Sequence, residues 1–136
     1  MTKARLRSYR MNKLERVQLQ QRLEELEAEM YAPRIQRLTG MPSAPAKDNP
    51  LESLAVRHAE LLDRYRAKLD ELATEQLAIE QAIDSLDPTA RLILRHYYIE
   101  GLTWEEVCCA VNYGWAQVHR IHSRALIALG DRQKRE

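Results

Sequence analysis

Apolar positions in the middle of the chain repeat with one period. Leu51, Ala55, His58, Leu62, Tyr65, Leu69, Leu72, Gln76, Ile79, Ile83 and Leu86 alternate spacings of four and three without a slip, which is the seam of a coiled coil. The pattern predicts a long helix over 51–86, roughly 54 Å at 1.5 Å per residue, too long for a small domain to bury alone. It calls for a partner: an upstream stripe folded back on it, the same helix of a second copy, or both. Leu51, Leu62, Tyr65, Leu69, Leu72, Ile79 and Ile83 are the candidate assembly residues, and a homodimer or higher homo-oligomer is expected, because monomers rarely expose so long an apolar stripe. His58 and Gln76 interrupt the seam at positions where polar residues set register or oligomer state.

Upstream, a helix is expected within 1–31, since the stretch from Lys3 to Tyr31 holds no Gly or Pro and is dense in helix formers. Leu19, Leu23, Leu26 and Met30 lie on one face, whereas Leu6, Leu14 and Val17 point nearly opposite at 100° per residue. The basic first half therefore reads as a loosely attached or frayed arm, with a second contact surface as the alternative. Pro33, Gly40, Pro42, Pro45 and Pro50 mark 32–50 as a helix-breaking linker. Asn49 as cap, Pro50 in the first turn and Glu52 three residues after the cap then open the long helix.

Downstream, 87–130 carries the signals of several short helices, followed by a charged tail over 131–136. Asp87 caps and Pro88 starts the first, with Leu92, Ile93, Tyr97 and Ile99 as its apolar face and Gly101 at its end. Thr103 and Glu106 form a capping box for the second, through Ala110. Asn112, Tyr113 and Gly114 break the chain, and Trp115–Leu129 is a last helix with Val118, Ile121, Ala125, Leu126 and Leu129 inward, ended by Gly130. The fold class is all-α, in keeping with a composition of Leu, Ala, Glu and Arg, no Phe and only 4 Gly. A 43-residue module (87–129) has a marginal core, so buttressing by the long helix or a partner is expected.

The net charge of +1 says little, but its distribution says more. Six Lys or Arg and one Glu lie in Met1–Arg16, four basic and eight acidic residues in Leu51–Leu86, and Arg120, Arg124, Arg132, Lys134 and Arg135 face only Asp131 and Glu136 after Gly114. Apolar runs are far shorter than the roughly 20 residues that cross a bilayer. The only cysteines, Cys108 and Cys109, are adjacent and cannot bridge each other without severe strain, which agrees with a reducing, cytoplasmic setting.

Two short helices joined by a three-residue turn, the second one basic, have the helix-turn-helix pattern. Ile83 to Leu86, Ala90, Ile93, Leu94, Tyr98 to Thr103, Glu106, Val107, Val118 and Arg124 to Leu129 resemble region 4 of bacterial sigma factors. A long helical N-terminal part joined through Thr39, Gly40, Met41 and Pro42 is similar to small phage- and prophage-encoded proteins with such C-termini, some of which are late-transcription regulators of the RinA and ArpU type. The resemblance implies a DNA-binding transcriptional regulator whose partners are double-stranded DNA and, in addition, RNA polymerase.

Carried onto this chain, the residues facing DNA would be Trp115, Ala116, Gln117, His119, Arg120 and Arg124. Gln117, Arg120 and Arg124 share an outward sector, with Ala116 and His119 close to it. Arg can pair bidentately with guanine and Gln with adenine. Gly114 replaces the usual Ser or Thr cap, Cys108 a common Ala, and Trp115 either meets the groove or packs on the capping turn. Two alternatives stay open: a phage DNA-packaging subunit, which also couples this motif to oligomerising helices, and a polymerase-binding adaptor that does not touch DNA. No phosphate loop, nucleophile elbow or paired-carboxylate constellation points to an enzyme, and no cofactor is implied. Cys108, Cys109, His119 and His122 lack zinc-ligand spacing, and both histidines are expected on the DNA-facing side, so no metal is expected.

Overall fold

The structure, a computed structural model, describes residues 1–38 and 50–135, with side chains at 1–32 and 50–130. It is all-helical among the described residues: α1 (Lys3–Leu38), α2 (Pro50–Ile83), α3 (Pro88–Leu94) running into a π-helical turn (Arg95–Ile99), α4 (Trp104–Val111) and α5 (Trp115–Arg135). None of these helices is long and apolar enough to cross a membrane. The chain forms two compact units, Met1–Leu14 with Glu71–Glu136, and Glu15–Asp70.

Several boundaries differ from the sequence expectation. The linker expected from residue 32 begins later, because α1 passes through Pro33 to Leu38. A helical proline removes one backbone bond and crowds the preceding turn, a local cost that a long cooperative helix of otherwise compatible residues can absorb. Asn49, the expected cap, and Thr39, Gly40, Met41 and Pro42 lie outside the described residues. α2 ends at Ile83 rather than Leu86, closed by a turn in which Leu86 N–H donates to the Ile83 carbonyl (3.0 Å). α5 runs through Gly130 to Arg135 instead of stopping there, since a helical glycine costs only about 1 kcal/mol.

In the unit of residues 15–70, parts of α1 and α2 run antiparallel. Lys68 Nζ donates to Glu15 Oε2 at 3.1 Å and His58 Nε2 meets Glu27 Oε1 at 3.0 Å, so rising numbers on one helix match falling numbers on the other. Leu23 is buried and Leu19, Leu26, Met30, Leu51, Leu62 and Tyr65 are half-buried. Of the partners left open for the long helix, the upstream stripe is the one found here. His58 interrupts the seam but gains a cross-helix acceptor, as a register-setting residue should. Leu69 is 38% exposed.

The other unit holds the main core. Leu6 and Tyr9 of α1 and Leu72, Ile79 and Ile83 of α2 pack with Ala90, Leu94, Tyr98, Ile99, Ala125 and Leu129. This corrects one expectation. The basic first half of α1 is not a loose arm: Leu6 is fully buried and Tyr9 nearly so, and the Tyr9 hydroxyl donates to Gln76 Oε1 (3.3 Å). Leu72, Ile79 and Ile83, among the candidate assembly residues, are covered by the chain's own residues. The long helix thus supplies the buttress that the C-terminal helices need. Leu14 and Val17, which suggested a face opposite the stripe, are exposed. Half-buried Lys13 and Arg16 carry the line of Leu6 and Tyr9 onward instead.

Candidate functional site

The segment from Asp87 to α5 is organised by its turns. Asp87 is extended at the start of α3 with Pro88 inside the first turn, but its side chain makes no capping bond. After Leu94 the winding widens: Glu100 N–H donates to the Arg95 carbonyl (2.9 Å) and Leu102 N–H to that of His96 (3.0 Å), spacings wider than the α-helical four. Tyr98 and Ile99 of this turn are buried, as are Ile93 and Leu94 just before it. Leu92, expected on the apolar face, is exposed: at 100° per residue it lies nearly opposite Ala90, Ile93 and Leu94, the buried residues of its own helix.

Basic residues of α1 close the end of this turn. Arg10 Nε donates to the Tyr97 carbonyl (3.1 Å) and Nη2 to that of Leu102 (3.3 Å), and Lys13 Nζ donates to the Ile99 carbonyl. Cations satisfying carbonyls at a helix C-terminus also oppose its negative dipole end. Gly101 then reverses the chain at φ +77°, a conformation that side chains resist.

α4 begins with the predicted capping box. Glu106 N–H donates to Thr103 Oγ1 (3.3 Å) while Thr103 N–H donates to Glu106 Oε1 (3.4 Å). It ends at Asn112 in the left-handed conformation, whose N–H bonds the Cys108 carbonyl. Tyr113 and Gly114 complete the turn, and Val118 N–H donates to the Gly114 carbonyl (3.0 Å), so Gly114 takes the cap position of α5. Val107 on α4 and Val118 on α5 bury against Ile93, with half-buried Leu102, Cys108, Val111 and Ile121 around them. Cys109 is exposed and both thiols are free.

α5 sorts its residues as the periodicity predicts, except at its two histidines. Val118, Ala125 and Leu129 are buried and Ile121 and Leu126 half-buried, while Ala116, Gln117, Arg120 and Arg124 are exposed. His122, expected on the outward side with His119, turns inward and is buried. The Tyr98 hydroxyl and His122 Nε2 lie 2.7 Å apart. Burial, with Lys3 and His119 nearby, pushes the His122 imidazole down to about 4, and burial pushes the Tyr98 phenol up to about 12. Both groups are thus neutral at pH 7 and share this hydrogen bond.

His119 belongs to an aromatic column rather than to the open face. The Arg10 guanidinium sits 4.4 Å above Tyr97, Tyr97 stacks on Trp104 at 3.8 Å, and the His119 ring lies 4.5 Å from Trp104 and 4.4 Å from Trp115. His119 Nε2 is buried without a hydrogen-bond partner among the described residues. Trp115 packs on this column, yet remains 52% exposed at the head of α5. The sequence reading missed Ser123 and Ile127, both exposed on the outward sector. The helical spacing 120, 123, 124, 127 would have found them, but an isoleucine in that series looks like core. Arg124 also borders a shallow groove with Leu86, Asp87, Ala90, Ile121, Ala125 and Ala128.

The outward sector is cationic in character: no Asp or Glu occurs from Trp115 to Gly130. Side chains that donate hydrogen bonds (Gln117, Arg120, Arg124) stand beside small or apolar ones (Ala116, Ile127), a set suited to base edges and phosphate oxygens. Among the described residues no three His, Cys, Asp or Glu side chains are grouped to hold a metal ion. No family model, curated protein or solved structure matches the chain.

Proposed function

We propose that this protein is a sequence-specific DNA-binding transcriptional regulator, with α4, the turn 112–114 and α5 acting as a sigma-region-4-like helix-turn-helix. In this reading α5 enters the major groove, and the paired helices of residues 15–70 are a coiled-coil hairpin. The observation that carries it is the acid-free outward face of α5, with Gln117, Arg120 and Arg124 exposed while Val118, His122, Ala125 and Leu129 anchor the opposite face. Control of phage late genes and contact with RNA polymerase follow from the sequence resemblance and belong to the same proposal. Trp115 and Ala116 open the reading helix, and His119 supports Trp115 instead of touching bases.

The proposal is tested by selecting bound fragments from a random DNA pool and then measuring variants on the enriched sequence. Arg120→Ala or Gln117→Ala should flatten preference at one or two base pairs, with a loss of about 1–3 kcal/mol for a bidentate contact. Arg124→Ala should weaken all duplexes alike and shallow the salt dependence by about one unit of slope. If all three variants bind every duplex like the unaltered chain, α5 is not the reader and a protein-binding role is the better account.

A further inference from the structure

An open groove runs along one side of the paired helices in residues 15–70. Leu26 and Leu61 form its half-buried floor, and its rims are exposed charged side chains: Arg22, Glu25 and Glu29 on α1, and Arg57, Glu60 and Arg64 on α2. None of these charges has an ion pair or side-chain hydrogen bond among the described residues. The antiparallel register fixed by Lys68 with Glu15 and His58 with Glu27 sets Arg22 level with Arg64, and Glu25, about one turn on, level with Glu60. The groove thus carries a cationic step followed by an anionic one, with like charges on opposite rims of an apolar floor.

Like charges held near each other repel. An occupant relieves both steps only if it brings carboxylates to Arg22 and Arg64 and cations to Glu25 and Glu60, in that order along the groove. It must also be apolar between them, to take Leu26 and Leu61 out of water. A second copy of the same groove, turned about a two-fold axis that passes between the two steps, meets each requirement. Its Glu25 and Glu60 fall on Arg22 and Arg64, its Arg22 and Arg64 fall on Glu25 and Glu60, and leucine meets leucine. Such self-complementarity is what a two-fold interface needs. We propose that two copies of this chain associate through this groove, with their paired helices of residues 15–70 packed face to face. The inference is independent of what α5 reads. It moves the expected contact between copies from the heptad seam, which α1 occupies, to the flank beside it.

Sedimentation equilibrium of the full chain tests this, and the unaltered protein should show twice its chain mass of 15.9 kDa. Arg22→Glu with Arg64→Glu makes both steps of the groove acidic, and Glu25→Arg with Glu60→Arg makes both basic. Either variant alone should sediment as a monomer. Mixed in equal amounts, the two should regain the dimer mass, because an acidic groove then meets a basic one. Arg66→Glu with Arg95→Glu changes the net charge as much as the first variant does, on exposed residues outside the groove, and should leave the dimer intact. All these positions are exposed, so each variant should keep the far-ultraviolet circular dichroism of the unaltered chain. A mass other than two copies for the unaltered protein would overturn the inference, as would dimers of either groove variant alone or monomers in their mixture. Loss of the dimer in the Arg66, Arg95 variant would also overturn it, since net charge and not the groove would then govern association.

Discussion

His122 shows how one residue's chemistry is reversed by its surroundings. In sequence it is a polar residue among basic ones, and in the fold it shares a hydrogen bond with Tyr98 within the core. Leaving either partner of such a buried pair unsatisfied costs about 1–3 kcal/mol. Because burial lowers the folded-state imidazole from 6.5 to about 4, the unfolded chain takes up this proton first. The contribution of His122 is therefore fully present above pH 6.5 and is lost as pH falls toward 4, by up to about 3 kcal/mol. Urea midpoints at pH 7 and pH 4.5 should show the decline. The Tyr98→Phe, His122→Leu double variant, with both polar partners replaced, should lose this part of the slope. An identical slope in that variant would show that other groups cause it.

At the level of elements, the turns determine which faces meet. The π-helical turn lets Tyr98 and Ile99 join the core with Leu94, and it leaves carbonyls that Arg10 and Lys13 cover. Between α4 and α5 the direction is set by Asn112, the one non-glycine residue with positive φ (58°) among those described. Asn tolerates this conformation, whereas a β-branched side chain pays for contact with its own backbone. Asn112→Val should destabilise the protein by about 1–2 kcal/mol, and Asn112→Gly should cost little or nothing. Denaturant unfolding of the two variants checks the contrast, and equal losses would argue that the Asn side chain matters here rather than the backbone conformation.

At the scale of the molecule, the largest compact unit is discontinuous in sequence, joining residues 1–14 to the chain after Glu71. Leu6 from one end and Ile83 from the other share a core with α5. Leu6→Ala and Ile83→Ala should each cost about 2–5 kcal/mol, the range for large-to-small changes in a packed interior. If this core is internal to one chain, the melting temperature of the Arg22→Glu, Arg64→Glu variant, expected to be monomeric, should not depend on protein concentration. A melting temperature that still rises with concentration would instead place Ile83 at a contact between subunits.

Much of this was legible along the chain. The heptad over 51–86, the Thr103–Glu106 box, the break at 112–114 and the inward series 118, 121, 125 and 129 depend on local periodicity and short-range capping, which the sequence by itself determines. The tertiary structure decided what periodicity cannot address. It chose α1 as the neighbour of α2 within residues 15–70, since an apolar seam states that a partner is needed without saying which. It turned a basic N-terminal stretch into part of the core, because Leu6 and Tyr9 find apolar surface only when residues more than sixty positions away are present. It also drew His122 inward, where the Tyr98 hydroxyl is the hydrogen-bond partner that makes a buried imidazole acceptable. Burial and polar satisfaction depend on which distant groups come together, and one-dimensional spacing does not contain that information.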